Sequence, residues 1–170
     1  MAIDECPHSF RRLTSVVLPG YMRKLRRAMQ KPHRAVEFSR PGAGPATIAR
    51  AFNREGDFSG CYVLMKGKSP KYVGISRSVL NRLRQHVTGK DHFGASLVFA
   101  ITKRKLKAEG HRDVLMKRRI FRAEFRRSQA YLRRLDVAFV EIDNPVVLHL
   151  FEVYAAIKLD TSKWNTFRTH

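Results

Sequence analysis

The sequence predicts an α+β protein: a small three-stranded antiparallel sheet flanked by helices, with an arginine-rich helical insertion and a basic N-terminal arm. Three observations predict it. Two short apolar runs, Phe58–Met65 and Lys71–Ile75, flank the turn-forming stretch GKSP at 67–70, which is the pattern of a β-hairpin. A third run of β-forming residues, VAFVEI at 137–142, follows far along the chain. The segments around these runs carry apolar residues at three- and four-residue spacing, the period of helices.

In chain order, the first element is a short basic helix at Tyr21–Gln30, entered after Pro19-Gly20 and stopped before Pro32. Met22, Leu25 and Met29 form a narrow apolar stripe among Arg23, Lys24, Arg26 and Arg27. The Pro- and Gly-rich stretch SRPGAGPAT at 39–47 reads as a linker. The chain therefore divides into a basic arm and linker over 1–55 and a folded domain over 56–170. After the hairpin, a helix starts near Ser78 as its N-cap, with Val79, Leu80, Leu83 and Val87 on its apolar side. Arg82 and His86, four residues apart, share another face of it. A second helix is expected from about Ala95, ending at Gly110. The segment His111–Asp136 reads as one long helix, with Val114, Phe121, Phe125, Leu132 and Leu135 along one side. With the basic run before it, this segment forms an insertion at about 103–136. The third strand follows, and Asn144-Pro145 opens a final helix that is apolar almost all round.

Charge narrows the choice of partner. The chain has 34 Lys+Arg against 14 Asp+Glu, a formal net charge of +20, and a polyanion would relieve the resulting self-repulsion. Residues 102–136 hold 13 basic and 4 acidic side chains, whereas 137–170 hold 3 and 4, so the excess belongs to a surface and not to a uniform coat. Few acidic residues stand four positions from these arginines, so salt-bridge lacing does not account for them. Nucleic acid is the favoured partner, with Arg118, Arg119, Arg122, Arg126 and Arg127 as candidate phosphate contacts. The longest apolar run, Ala95–Ile101, is too short to span a bilayer, and the acidic, polar N-terminus does not have the form of a signal peptide. Two widely separated cysteines, Cys6 and Cys61, match neither a metal motif nor a disulfide framework, which fits a reducing cytoplasmic compartment.

A carboxylate sits at the middle of the final apolar helix. Glu152 has Leu148, His149, Ala155 and Ala156 as its i±3 and i±4 neighbours, none of them an obvious cationic partner. A carboxylate so placed is exposed, paired from elsewhere in the fold, or bound to a cation.

The order of these features resembles the GIY-YIG nuclease superfamily. The first motif reads Gly60-Cys61-Tyr62 and the second Tyr72-Val73-Gly74, followed by SRSVLNRLRQH with Arg82 and His86, then Glu152 and Asn165. The resemblance covers roughly residues 58–167. Cys61 and Val73 stand where the family has isoleucines, the arginine-rich segment looks like an insertion into the usual small module, and the N-terminal arm lies outside the match. The resemblance implies a metal-dependent DNA endonuclease that leaves 5′-phosphate and 3′-hydroxyl ends. Glu152 would hold a single hard cation, Mg²⁺ or Mn²⁺. Tyr62 would be the general base, assisted because an ordinary tyrosine titrates near about 10. Tyr72 would position water or phosphate, Arg82 would bind developing charge through its planar fork, and His86 would hold a phosphate or relay a proton. Asn165 would orient the region around Glu152. Arg77 and His92 are further candidates beside the nucleic acid. The alternative is a basic nucleic-acid-binding protein on the same fold without catalysis, and a basic membrane-surface protein is a weaker third.

Overall fold

The computed structural model describes residues 3–167. The chain forms two compact units: one comprises the residues up to His33, Asp57–Val79 and those from Asp136 on, the other Arg34–Gly56 and Leu80–Leu135. The 39–47 stretch, read from sequence as a linker, lies within the second unit. That stretch leads into a packed helix of the second unit, and Ala43 within it is buried.

The first unit is built on the sheet. Strands β1 (His33–Arg34), β2 (Gly60–Lys66), β3 (Ser69–Ser76) and β4 (Asp136–Glu141) lie in the order β1-β4-β2-β3. The sheet thus has four strands, not three. The extra one is two residues long, too short for alternation to reveal it in sequence. β2 runs antiparallel to both β3 and β4. The hairpin turns on Gly67-Lys68 between the paired Lys66 and Ser69, and Gly67 has φ +57, a conformation that glycine adopts without steric cost. Pro70 is tolerated because β3 is an edge strand and the register shifts opposite it, between Leu64 and Met65.

Two helices cover one face of this sheet. Leu18, Met22 and Leu25 of α2 (Leu18–Met29) join Val147, Leu148, Phe151, Ala155 and Ala156 of α8 (Pro145–Lys158) in one core with Cys61, Val63, Met65, Val73, Ala138 and Val140. The basic helix expected at Tyr21–Gln30 therefore packs its apolar stripe into the core. Leu25 is fully buried, a burial that contributes about 2 kcal/mol. The helix also starts earlier than Pro19-Gly20 would suggest. A helical run begins with α1 (Phe10–Arg12) and passes through a wide π turn at Leu13–Val17 into α2, so Pro19 falls inside a continuous helix. Proline removes one backbone donor and crowds the preceding turn, and the wider turn leaves room for it. In α8, Asn144 caps the N-terminus by accepting a hydrogen bond from the Val147 N–H at 3.1 Å, with Pro145 in the first turn.

The second unit contains α3 (Pro45–Ala51), most of α4 (Val79–Thr88), α5 (Ser96–Lys105), α6 (Arg112–Lys117) and α7 (Arg119–Arg133). The long helix expected over 111–136 is broken at Arg118, whose backbone is extended at φ −72, ψ 127. The break resets the buried face. Leu115 is buried, while Val114, which a continuous helix would align with Phe121, is half exposed. α5 also stops at Lys105, short of Gly110, because Lys107 takes a positive φ. Among the described residues no helix is long and apolar enough to cross a membrane.

Candidate active-site residues

The two motifs meet in the register of the hairpin. Tyr62 is paired with Gly74, and Tyr72, two residues before Gly74, projects from the same face. The tyrosine rings lie 6.2 Å apart, tilted by 50°. A Cβ on Gly74 would come within 2.5 Å of the Tyr62 Cζ and Oη and 2.8 Å of the Tyr72 Cε1. The second motif's glycine is thus the floor on which both rings rest. The first motif's glycine has another reason. A Cβ on Gly60 would stand 2.3 Å from the Val140 carbonyl oxygen, so the close approach of β2 and β4 requires its absence.

Asn165 completes this strand. Its side-chain oxygen accepts from the Val73 N–H at 2.9 Å and its amide donates to the Val73 C=O at 2.7 Å. It thereby fastens the outer edge of β3 between Tyr72 and Gly74. The sequence reading gave Asn165 the region around Glu152; the structure shows it bonded to the strand of the second motif.

Glu152 is carried by α8, the helix that covers the opposite face of the sheet from the two tyrosines. Burial holds its carboxyl above the usual range, and the neighbouring His149 partly counteracts this. On the sheet side it reaches Cys61, whose thiol is pushed up first by its own burial and then by the Glu152 charge. The structure therefore joins Tyr62 with Tyr72, and Glu152 with His149 and Cys61. Beside the N-terminal turns of α8 is a cleft of about 500 Å³, lined by Ser59, Ile75, Ser76, Arg77, Asp143, Pro145, Leu148 and His149. Arg77 is the one sequence candidate among them. The sequence named His149 only as a helix neighbour of Glu152 and not as its electrostatic partner, though the three-residue spacing puts the two on adjoining helix positions.

Among the described residues, no three His, Cys, Asp or Glu side chains come together as a ready-made metal cage. A hard cation that keeps most of its waters needs only one or two carboxylates plus substrate phosphate, and Glu152 can serve as such a ligand.

The other sequence candidates belong to the second unit. Arg82 donates to the Ser96 hydroxyl at 2.6 Å and to the Gln85 side chain at 3.4 Å, which holds its guanidinium in place. His86 is only 1% exposed. Burial, reinforced by the Arg82 charge, lowers its pKa to about 3. The expectation that it titrates near neutral pH is corrected: in the folded protein the imidazole is neutral. Because its proton affinity rises on unfolding, its contribution to stability is complete above about pH 6.5 and is lost as pH falls from there towards about 3. Each pH unit in that window costs at most about 1.4 kcal/mol. Thermal melts at about pH 7.5 and about pH 5 should show a drop in Tm that shrinks in His86→Gln. An equal drop in both proteins would assign the effect to other groups.

His92 is also buried. It packs against Phe93 and Phe99 at 4.0 and 5.8 Å, with Asp113 3.6 Å from its Nε2. Arg118 forms the break before α7. Arg119, Arg122 and Arg126 are exposed, and Arg127, also exposed, lies 3.6 Å from Glu124. Comparison of the chain with family models, with curated proteins and with solved structures finds no match.

Proposed function

We propose that this protein is a divalent-metal-dependent DNA endonuclease with a GIY-YIG-like core, cutting phosphodiesters to 5′-phosphate and 3′-hydroxyl ends and working inside the cell. The observation that carries this reading is the hairpin: Tyr62 and Tyr72 share one face over Gly74, which has no room for a side chain, and Asn165 clamps the strand between them. In this reading Tyr62 accepts the proton of the attacking water and Tyr72 orients that water or the phosphate. Arg82 stabilises the extra charge on the phosphate oxygens as it develops. His86 acts as a neutral hydrogen-bonding ring, not a cation. Glu152 would hold the Mg²⁺ or Mn²⁺ through its carboxylate, and the cation, when bound, would withdraw charge from the phosphate.

A second reading, a nucleic-acid-binding protein without catalysis, is favoured by one observation: the helix bearing Glu152 covers the sheet face opposite the two tyrosines. Supercoiled plasmid separates the two. The nuclease should nick it in Mg²⁺ or Mn²⁺ and not in EDTA, and Tyr62→Phe should slow nicking by about 100-fold or more. Binding without nicking in either metal would establish the second reading.

A further inference from the structure

The arginines of α7 are not one surface. Glu124 draws Lys105, at 3.0 Å, and Arg127, at 3.6 Å, to one side of the helix. Arg122, Arg126 and Arg133, spaced by four and seven residues, share the other side. There they line a cleft of about 360 Å³ together with Thr88, Gly89, Lys90, Met116, Phe125 and Gln129. Four of the nine lining residues are cations and none is acidic, so the cleft carries charge that its own walls do not neutralise.

The cleft is also built firmly. Gln129 is buried and donates to the Gly89 carbonyl at 2.8 Å, and Arg133 donates through Nε to the Val87 carbonyl at 2.8 Å. These bonds satisfy carbonyls at the end of α4. They fix the loop that carries Lys90 against α7, and use one of the five donors of the Arg133 guanidinium.

We propose that this cleft is the seat for a nucleic-acid strand, with Lys90, Arg122, Arg126 and Arg133 as the phosphate ligands and Arg127 outside the site. Its volume admits a backbone phosphate and its sugar, and Met116 offers apolar surface to the sugar. Arg122 to Arg133 spans about 16 Å of helix, enough for a few successive phosphates of one strand. The inference rests on the reading above only in taking nucleic acid as the partner; it does not depend on catalysis.

The test is fluorescence anisotropy with a labelled single-stranded DNA oligonucleotide in EDTA, repeated over a range of salt. Arg122→Gln with Arg126→Gln should weaken binding by about 10-fold or more and make the logarithmic salt slope shallower by about 1.4. Lys90→Gln alone should weaken it by about 3-fold. A control pair, Lys103→Gln with Arg104→Gln, removes the same charge from other exposed positions of the unit and should stay within about 3-fold of the native protein. Equal losses in both pairs, or no loss in the first, overturn the seat. All these side chains are exposed, so the variants should fold, and melting curves check that they do. A protein that binds through the cleft yet never nicks plasmid overturns the catalytic reading alone, whereas nicking with binding indifferent to the cleft overturns the seat alone.

Discussion

Gly60→Ala is expected to cost about 3 kcal/mol or more and to lower Tm by about 6–12 °C. The added methyl would meet three backbone atoms, the Val140 O at 2.3 Å, the Val140 C at 3.1 Å and the Glu141 Cα at 3.2 Å, and none of these can rotate away. Relief requires separating β2 from β4, the two central strands, at the Gly60 end of their ladder, next to the fully buried Cys61. Gly74→Ala is the informative companion. Its methyl would meet the side chains of Tyr62 and Tyr72, which can turn aside at smaller cost. The Gly74 variant should therefore stay folded with displaced tyrosines, and the Gly60 variant should be the less stable of the two. Chemical denaturation of both proteins checks the order, and a Gly60 variant as stable as the native protein would show that β2 and β4 do not approach as described.

Glu152→Gln is expected to abolish metal-dependent nicking, by about 10³-fold or more, while leaving DNA affinity in EDTA within about 2-fold. The amide keeps the shape of the side chain and removes the charge a divalent cation would need. Unfolding cannot account for such a loss. Burial already disfavours the Glu152 carboxylate, so a neutral isostere should leave the melting temperature unchanged or slightly higher. Plasmid nicking in Mg²⁺, anisotropy in EDTA and a thermal melt together separate the roles. Cleavage retained by the variant would remove Glu152 from the metal site and with it the central assignment of the proposed mechanism.

What could be read from sequence was mostly local. The hairpin follows from the apolar runs around Gly67, the final helix from Asn144-Pro145 and its uniform apolarity, and the third long strand from VAFVEI. Features that depend on distant partners were not legible. The Pro19-Gly20 pair is a normal helix stop, and only the π turn before it, together with the burial of Leu18 and Met22 against the sheet, explains why the helix continues. Nothing in KRRIF marks the break at Arg118; it follows from burying Leu115 and Phe121 at once. The motif tyrosines could be found by spacing, but not the pairing of Tyr62 with Gly74, which is a property of register. His86 shows the same limit from the chemical side. Its residue type suggests a group that titrates near neutral pH, and its burial makes it one that does not.

The bond between Asn165 and Val73 has a consequence for solution behaviour as well. An uncovered edge strand offers its backbone to any extended chain that drifts past, which is how soluble proteins begin to pair edge to edge and aggregate. β3 is the long edge of this sheet, and a side-chain amide occupies both backbone groups of its middle residue in the way a neighbouring strand would. At the opposite edge β1 is only two residues long and gives an incoming strand little to pair with. The clamp that holds the second motif in place thus also serves as a guard against self-association.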